Sequence, residues 1–302
     1  MEPEILFSRD DERRLQGFGD RLRRGEDLTL PESSEMERLI ALHKSFLDEG
    51  ERRLREGVEG VPDSPRRRSS ANHRDGDQEG STTSTWGSVV NGAYFWTSLV
   101  ATAIPGYLGK HTGLMKDHNH WSFLTEQLLL GALPVLTSFG VGGNHLQVIK
   151  KRMDERSQTM GLVVACLDSD EMQGYGIKMV QFAQERDWRE QVNPKMEYVH
   201  VPMPDGSAGT TMEAVRSAVD KVHDVVCRGE CVYIHCKAGK GRSWLVAVCY
   251  LSTHGGRTLD NAVQLVKLAR YQVNPSPCQV EFVNDFKKKF SGDEEAKKLL
   301  SK

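Results

Sequence analysis

Val232-Tyr-Ile-His-Cys-Lys-Ala-Gly-Lys-Gly-Arg-Ser-Trp-Leu-Val-Ala-Val-Cys-Tyr-Leu251 is the stretch whose reading decides the fold. The β-prone run Cys231 to Ile234 predicts a short buried strand. The apolar run from Trp244 to Leu251 predicts a buried helix. Between them the chain carries glycines, lysines, an arginine and a cysteine. A strand that turns through such a loop into a helix aims several backbone N–H groups at one point. The positive end of the helix dipole faces that same point, so the loop is an anion cradle.

Cys236 opens the loop and Arg242 closes it, with five residues between them. A thiol among converging N–H donors, a helix N-terminus and cationic side chains has a depressed pKa and exists as thiolate. That is the state nucleophilic catalysis by cysteine requires. The planar fork of Arg242 can take two oxygens of a phosphate at once. Gly239 and Gly241 let the backbone curl inward without Cβ clashes. Lys237, Ala238, Gly239, Lys240, Gly241 and Arg242 are therefore the expected phosphate-binding set. The order Lys240-Gly241 excludes the ATP-binding loop, which needs glycine before lysine.

Composition bounds the rest. The 302 residues suit one catalytic domain with extensions, and the formal net charge of −2 gives no reason to expect a nucleic-acid partner. Six cysteines, at 166, 227, 231, 236, 249 and 278, form neither a disulfide framework nor paired zinc knuckles. No metal and no other cofactor is expected.

Residues 1–85 read as a charged, largely disordered extension with one helix near 34–55. There Ser34 and Glu37 can form a capping box, and Met36, Leu39, Ile40, His43, Phe46 and Leu47 share a face. Residues 61–85 read as a disordered linker, with Arg66-Arg67-Arg68-Ser69-Ser70 either a kinase site or a solvated basic run. The first residues lack the arginine-rich, acid-poor character of a transit peptide. The segment 86–109 is uncharged, apolar and aromatic. It reads either as a membrane anchor or as a helix packed on the catalytic domain.

A compact catalytic domain is expected over 120–291, followed by a charged tail at 292–302. Strands are predicted at Leu128–Pro134, Met160–Leu167 and Glu197–Met203, and helices at Asn144–Arg156, Gln173–Glu185 and Thr211–Cys227. Three more helices are expected near 243–253, 258–271 and 277–290. This alternation predicts an α/β fold with a central, mostly parallel sheet flanked by helices, the loop lying at the carboxyl edge of its strand. Asp205 sits in a glycine-containing loop after a strand, 31 residues before Cys236. It is the candidate acid for a leaving oxygen. Asp168, Asp170 and Glu171 read as a solvated turn or helix cap.

His235-Cys236-x5-Arg242-Ser243 resembles the signature of the cysteine-dependent phosphatases, with Asp205 at a spacing similar to the dual-specificity type. The resemblance is closest to the mitochondrial tyrosine-phosphatase-like phosphatidylglycerophosphate phosphatases. It is carried by Leu129-Leu-Gly-Ala-Leu-Pro134, the Asp205 loop, Cys231–Gly239, and Pro277 with Gln279. It implies a dual-specificity-type fold and a phosphocysteine intermediate formed on Cys236. It also implies that Ser243 donates to the sulfur and that His235 orients the loop through its ring N–H. The implied partners are an anionic phospholipid at a membrane surface or, alternatively, a phosphoprotein dephosphorylated on Tyr, Ser or Thr. The implied location is the inner mitochondrial membrane; the alternative is cytoplasmic or another membrane. Lys240-Gly241 departs from that family and looks like the phosphoinositide 3-phosphatase tumour suppressor, whose resemblance would pair Cys166 with Cys236 in a redox disulfide. Trp244 and Ser276 are further departures. Lys237 and Lys240 suit a substrate with a second phosphate or a diester.

Overall fold

The computed structural model describes residues 9–24, 26, 28–29, 31–42, 95, 120–136, 144–176 and 181–300. Five strands form one sheet: β1 (Trp121–Phe123), β2 (Leu128–Gly131), β3 (Met160–Ala165), β4 (Glu197–His200) and β5 (Cys231–His235). Their order is β1-β2-β5-β3-β4. β1 runs antiparallel to β2, and all other pairs are parallel. The strand that leads into the loop, β5, is thus flanked on both sides, which explains why every residue of Cys231–His235 is buried.

Strand alternation divides the core into two layers. Leu128, Leu130, Leu162, Val164, Val232 and Ile234 face one cluster, and Leu129, Val163, Cys231 and Tyr233 face the other. The second face is covered by α3 (His145–Glu155) and α5 (Glu185–Gln191), through Leu146, Ile149, Met153 and Trp188. The first face is covered by α6 (Met212–Cys227), α7 (Arg242–Thr253), α8 (Leu259–Ala269) and α9 (Pro277–Leu300). The helix after the loop, α7, is buried along its whole length, as its unbroken apolar run demands. Side-chain caps set several helix starts: Asn144 for α3, Thr211 for α6 and Thr258 for α8 each accept a backbone N–H of the first turn.

Four expectations need correction. One helix was expected in the extension, near 34–55; its described part holds two, α1 (Arg9–Arg23), which packs on α8, and α2 at 31–42. Leu15, Leu22, Met36 and Leu39 are buried in the same cluster as Leu265 and Val266, and Arg257 donates to the Leu22 carbonyl at the end of α1. α2 starts before Ser34. Pro31 needs no N–H partner in a first turn, and Thr29 donates its N–H and hydroxyl to Glu32 at 2.8 and 2.9 Å. Gln173–Glu185 is not one helix. After the short α4 (Ser169–Met172), Gly174, Tyr175 and Gly176 all take positive φ (60°, 53° and 72°), which ends helical geometry. Phe182 then bridges to Val135. Finally, the helix expected near 277–290 continues to Leu300 as α9.

Residues 43–85, with the linker and the Arg66–Ser70 run, lie outside the described residues, as does 86–109 apart from Phe95. Phe95 is buried against Leu133, Leu167, Tyr175 and Phe182 of the domain, so at this position packing on the domain is observed. Among the described residues no helix is long and apolar enough to cross a membrane.

Because α2 contributes to the main core, Leu39→Ala should destabilise the whole chain by about 2–5 kcal/mol. Urea unfolding measures this. A dispensable extension would leave the midpoint unchanged.

Candidate active site

All four parallel strands deliver their carboxyl ends to one edge of the sheet, and the site is assembled there from the segments that leave them. The loop after β5 carries Cys236, β3 leads into α4 with Glu171, β4 leads to Asp205, and β2 ends against the loop at Gly131.

Cys236 is 3 % exposed. Its Sγ lies 3.3 Å from the Ser243 hydroxyl and accepts from the Gly239 N–H at 3.2 Å. Burial by itself pushes a thiol up. Here the Arg242 guanidinium, the Ser243 hydroxyl and the backbone N–H groups of Ser243 and Lys240 outweigh it, and Cys236 lies below the ordinary thiol value. Cys166, also buried, shows the contrast. Burial and the neighbouring Cys236 push its thiol up, with only Arg242 opposing. Its N–H donates to the His235 carbonyl at 2.7 Å, and both thiols are free.

Arg242 is 2 % exposed, and its donors are fully directed. Its guanidinium meets the Glu171 carboxylate with two nitrogens, and one of them also donates to the Met203 carbonyl at 2.9 Å. It also lies 3.1 Å from Asp205 Oδ1. Lys237 Nζ donates to Asp205 Oδ2 at 2.6 Å and lies 3.8 Å from Glu171. Burial would raise Asp205, but Arg242, Lys237 and the Gly206 N–H hold it below the ordinary carboxylate range. Asp168 has the capping role read from the sequence: its side chain accepts from the Glu171 N–H at 2.8 Å as the N-cap of α4. Glu171 does not have a solvated role. It is 2 % exposed and is the buried counter-charge of Arg242.

The loop backbone is held from outside. Gly239 has φ 67°, and a Cβ there would stand 2.5 Å from the Gly131 carbonyl carbon, so the loop can lie against β2 only with glycine at this position. Gly241 serves differently. Its φ of −124° needs no glycine, but a Cβ would meet the buried Gln279 side chain at 2.5 Å. Arg270, which no sequence signal singled out, donates to the Gly239 carbonyl at 2.8 Å and the Ala238 carbonyl at 3.1 Å. The Asn274 N–H donates to the Lys240 carbonyl, and Gln279 ties α9 to the Ser207 carbonyl of the Asp205 loop at 2.9 Å. Lys240 is exposed. Burial pushes His235 down to about 4, so the ring is neutral. Its Nδ1 lies 3.4 Å from the Cys236 carbonyl, to which only an Nδ1–H can donate.

Residues 163–289 match the family model for the dual specificity phosphatase, catalytic domain. Over that segment the chain is similar to the dual-specificity phosphatases. The matched segment runs from β3 into α9, and β1, β2 and α3 precede it. The chain is similar to a phosphatidylglycerophosphate phosphatase of Arabidopsis thaliana, 30 % identical over 179 residues, which cover 57 % of this chain and 65 % of that protein. It is also similar to human dual specificity protein phosphatase 16, 27 % identical over 140 residues, covering 44 % of this chain and 21 % of that protein. The chain therefore spans less than two thirds of either relative. A crystal structure of PTPMT1 in complex with PI(5)P is similar at a TM-score of 0.46 and 20 % identity, over 58 % of this chain and 99 % of that one.

The structure thus brings together Cys236, Ser243, Gly239, Lys237, Arg242 and Asp205, leaves the Lys240 side chain exposed, and adds Glu171 and Arg270. The signal for Glu171 was an acidic residue just past a buried strand; Arg270 follows an ordinary amphipathic helix and gave none. Two outcomes test the electrostatics. Alkylation of Cys236 should have its pH midpoint below that of a free cysteine, and Ser243→Ala should move it upward, since a donor to the thiolate is lost. Glu171→Gln leaves a buried guanidinium short of counter-charge and should cost roughly 3 kcal/mol in urea unfolding. An unchanged stability would show that Asp205 suffices.

Proposed function

We propose that this protein is a cysteine-dependent phosphomonoesterase that works through a phosphocysteine intermediate and acts on phosphatidylglycerophosphate or a related anionic phospholipid. The observation that carries the chemistry is the Cys236 thiol, held below its ordinary pKa at the floor of a loop that Arg242 closes.

In the proposed reaction the Cys236 thiolate attacks phosphorus in line with the ester oxygen. Loop N–H groups and Arg242 take the equatorial oxygens, where charge is greatest in the transition state. The P–O bond breaks as the S–P bond forms, and Asp205 gives its proton to the departing alcohol. The resulting carboxylate then removes a proton from water, which attacks the phosphocysteine and releases orthophosphate and thiolate. Ser243 donates to the sulfur as it leaves. The neutral His235 fixes the first peptide of the loop rather than acting as base.

Three observations support a phospholipid substrate: the similarity to the plant phosphatidylglycerophosphate phosphatase, the exposed Lys240 on the loop, and Lys237 beside the phosphate position. An anionic bilayer attracts an exposed lysine such as Lys240 at about 1 kcal/mol. This substrate class carries the inner mitochondrial membrane with it as the location. A second reading, dephosphorylation of Tyr, Ser or Thr in proteins, is favoured by the similarity to dual specificity protein phosphatase 16.

Cys236→Ser should abolish turnover and retain orthophosphate binding. Asp205→Asn should slow an alkyl phosphate by roughly 100-fold or more, and an activated aryl phosphate far less, because only the poor leaving group needs the proton. Turnover of phosphatidylglycerophosphate, phosphoinositides and a phosphopeptide, compared on the same vesicles, chooses between the readings. Preference for the peptide would reverse them.

A further inference from the structure

Phe95 comes from the uncharged run that precedes the domain, yet it is 1 % exposed within the domain. Tyr175 and Phe182 pack against its ring at centroid distances of 5.8 and 6.1 Å, tilted by 60° and 65°. Leu133 and Leu167 complete the pocket. Tyr175 is itself held at φ 53°, a conformation non-glycine residues keep only where their surroundings over-determine it. The Phe95 ring lies 5.8 Å from Lys237 Nζ, within reach of a cation–π attraction. The Lys237 side chain is 5 % exposed, so that attraction is little screened by water.

We infer that Phe95 is a positioning residue for Lys237, so that an aromatic ring far outside the loop sets how strongly the loop holds a phosphate group. Lysine is a point charge on a flexible stem, and its ammonium follows whatever attracts it. On one side Lys237 meets Asp205 and Glu171, which in the absence of substrate draw it towards themselves. The negative face of Phe95 is a further attraction on the same ammonium, 5.8 Å away, and unlike the carboxylates it carries no net charge that a phosphate would repel. The two rings on its flank keep Phe95 from turning edge-on. An aliphatic side chain would fill the pocket equally well but offers no such face. The proposal rests on the phosphate-binding reading of the loop and not on which phosphate ester is hydrolysed.

The test is a double-mutant cycle between Phe95 and Lys237, read as orthophosphate affinity by calorimetry in a Cys236→Ser background. The same pairs are assayed on a small aryl phosphate with Cys236 present. Phe95→Leu should weaken orthophosphate binding roughly fivefold to tenfold. Phe95→Tyr, which keeps the ring, should restore it. With Lys237→Met already in place, Phe95→Leu should add nothing. The inference is overturned if Phe95→Leu leaves affinity unchanged, if its effect is as large with Lys237→Met as without, or if Phe95→Tyr is as weak as Phe95→Leu. Should Phe95→Leu fail to fold, Phe95→Met fills the pocket with an unbranched chain and carries the same expectations. A wild-type protein that binds orthophosphate but turns over no phosphate ester would defeat the enzymatic reading, while the binding cycle would still decide the role of Phe95.

Discussion

Burying a negatively charged sulfur is the constraint on which this structure depends. Desolvation opposes the thiolate, and a sulfur 3 % exposed has almost no water to offset that cost. The compensation comes from fixed dipoles and one cation: loop N–H groups, the Ser243 hydroxyl and Arg242. The cation is then a second buried charge that must be satisfied in its turn. Glu171 does this from across the sheet edge, with the Met203 carbonyl and Asp205 taking other donors. A buried pair of this kind contributes little net stability, because each partner gives up its hydration. Its effect is geometric. With Glu171 and Met203 fixed, the guanidinium can present itself in one orientation only, and α7 begins with that orientation already set.

The same logic runs through the backbone. A loop that turns the N–H groups of Gly239, Lys240 and Ser243 towards the sulfur turns carbonyls outward, where they would be left unsatisfied. Arg270 takes the carbonyls of Ala238 and Gly239, the Asn274 N–H takes that of Lys240, and the Leu133 N–H takes that of Lys237. The close approach of Gly239 to Gly131 lets β2 serve as the wall on the other side. Charge at the centre therefore demands a polar collar around it, and the collar is drawn from elements far apart in sequence: β2, α8 and the turn before α9.

This division explains which features were legible in the sequence. The loop was legible because its chemistry is local. Strand, glycine turn, cysteine, arginine and helix lie within twenty residues, and each residue type has one physical reason to be there. The sheet was legible from apolar runs bounded by turns. The collar was not legible, because Arg270 and Glu171 look like any charged residues near a helix end until the fold brings them inward. The helix expected over 173–185 failed for a local reason: its apolar spacing was acceptable, but Gly174 and Gly176 flank Tyr175 and all three residues take positive φ, which a helix cannot hold. The extension misled by composition. Its charges form surface pairs such as Arg21 with Glu32, while only a few apolar residues, Leu15, Leu22, Met36 and Leu39 among them, dock it on the domain.

Asp205 brings these constraints to bear on the proposed reaction. It is paired with both Arg242 and Lys237, which hold it ionised. An ionised carboxylate cannot supply a proton. An incoming phosphate, however, competes for the same two cations and brings its own negative charge beside the carboxylate. Both changes favour the protonated form: the stabilising partners are withdrawn, and a repelling charge takes their place. Substrate binding would thus convert Asp205 from a counter-ion of Arg242 and Lys237 into the acid that the leaving oxygen requires. Departure of orthophosphate would return it to Arg242 and Lys237. A carboxylate that substitutes for the substrate between turnovers also keeps two buried cations compensated at every stage, which the low exposure of both side chains demands.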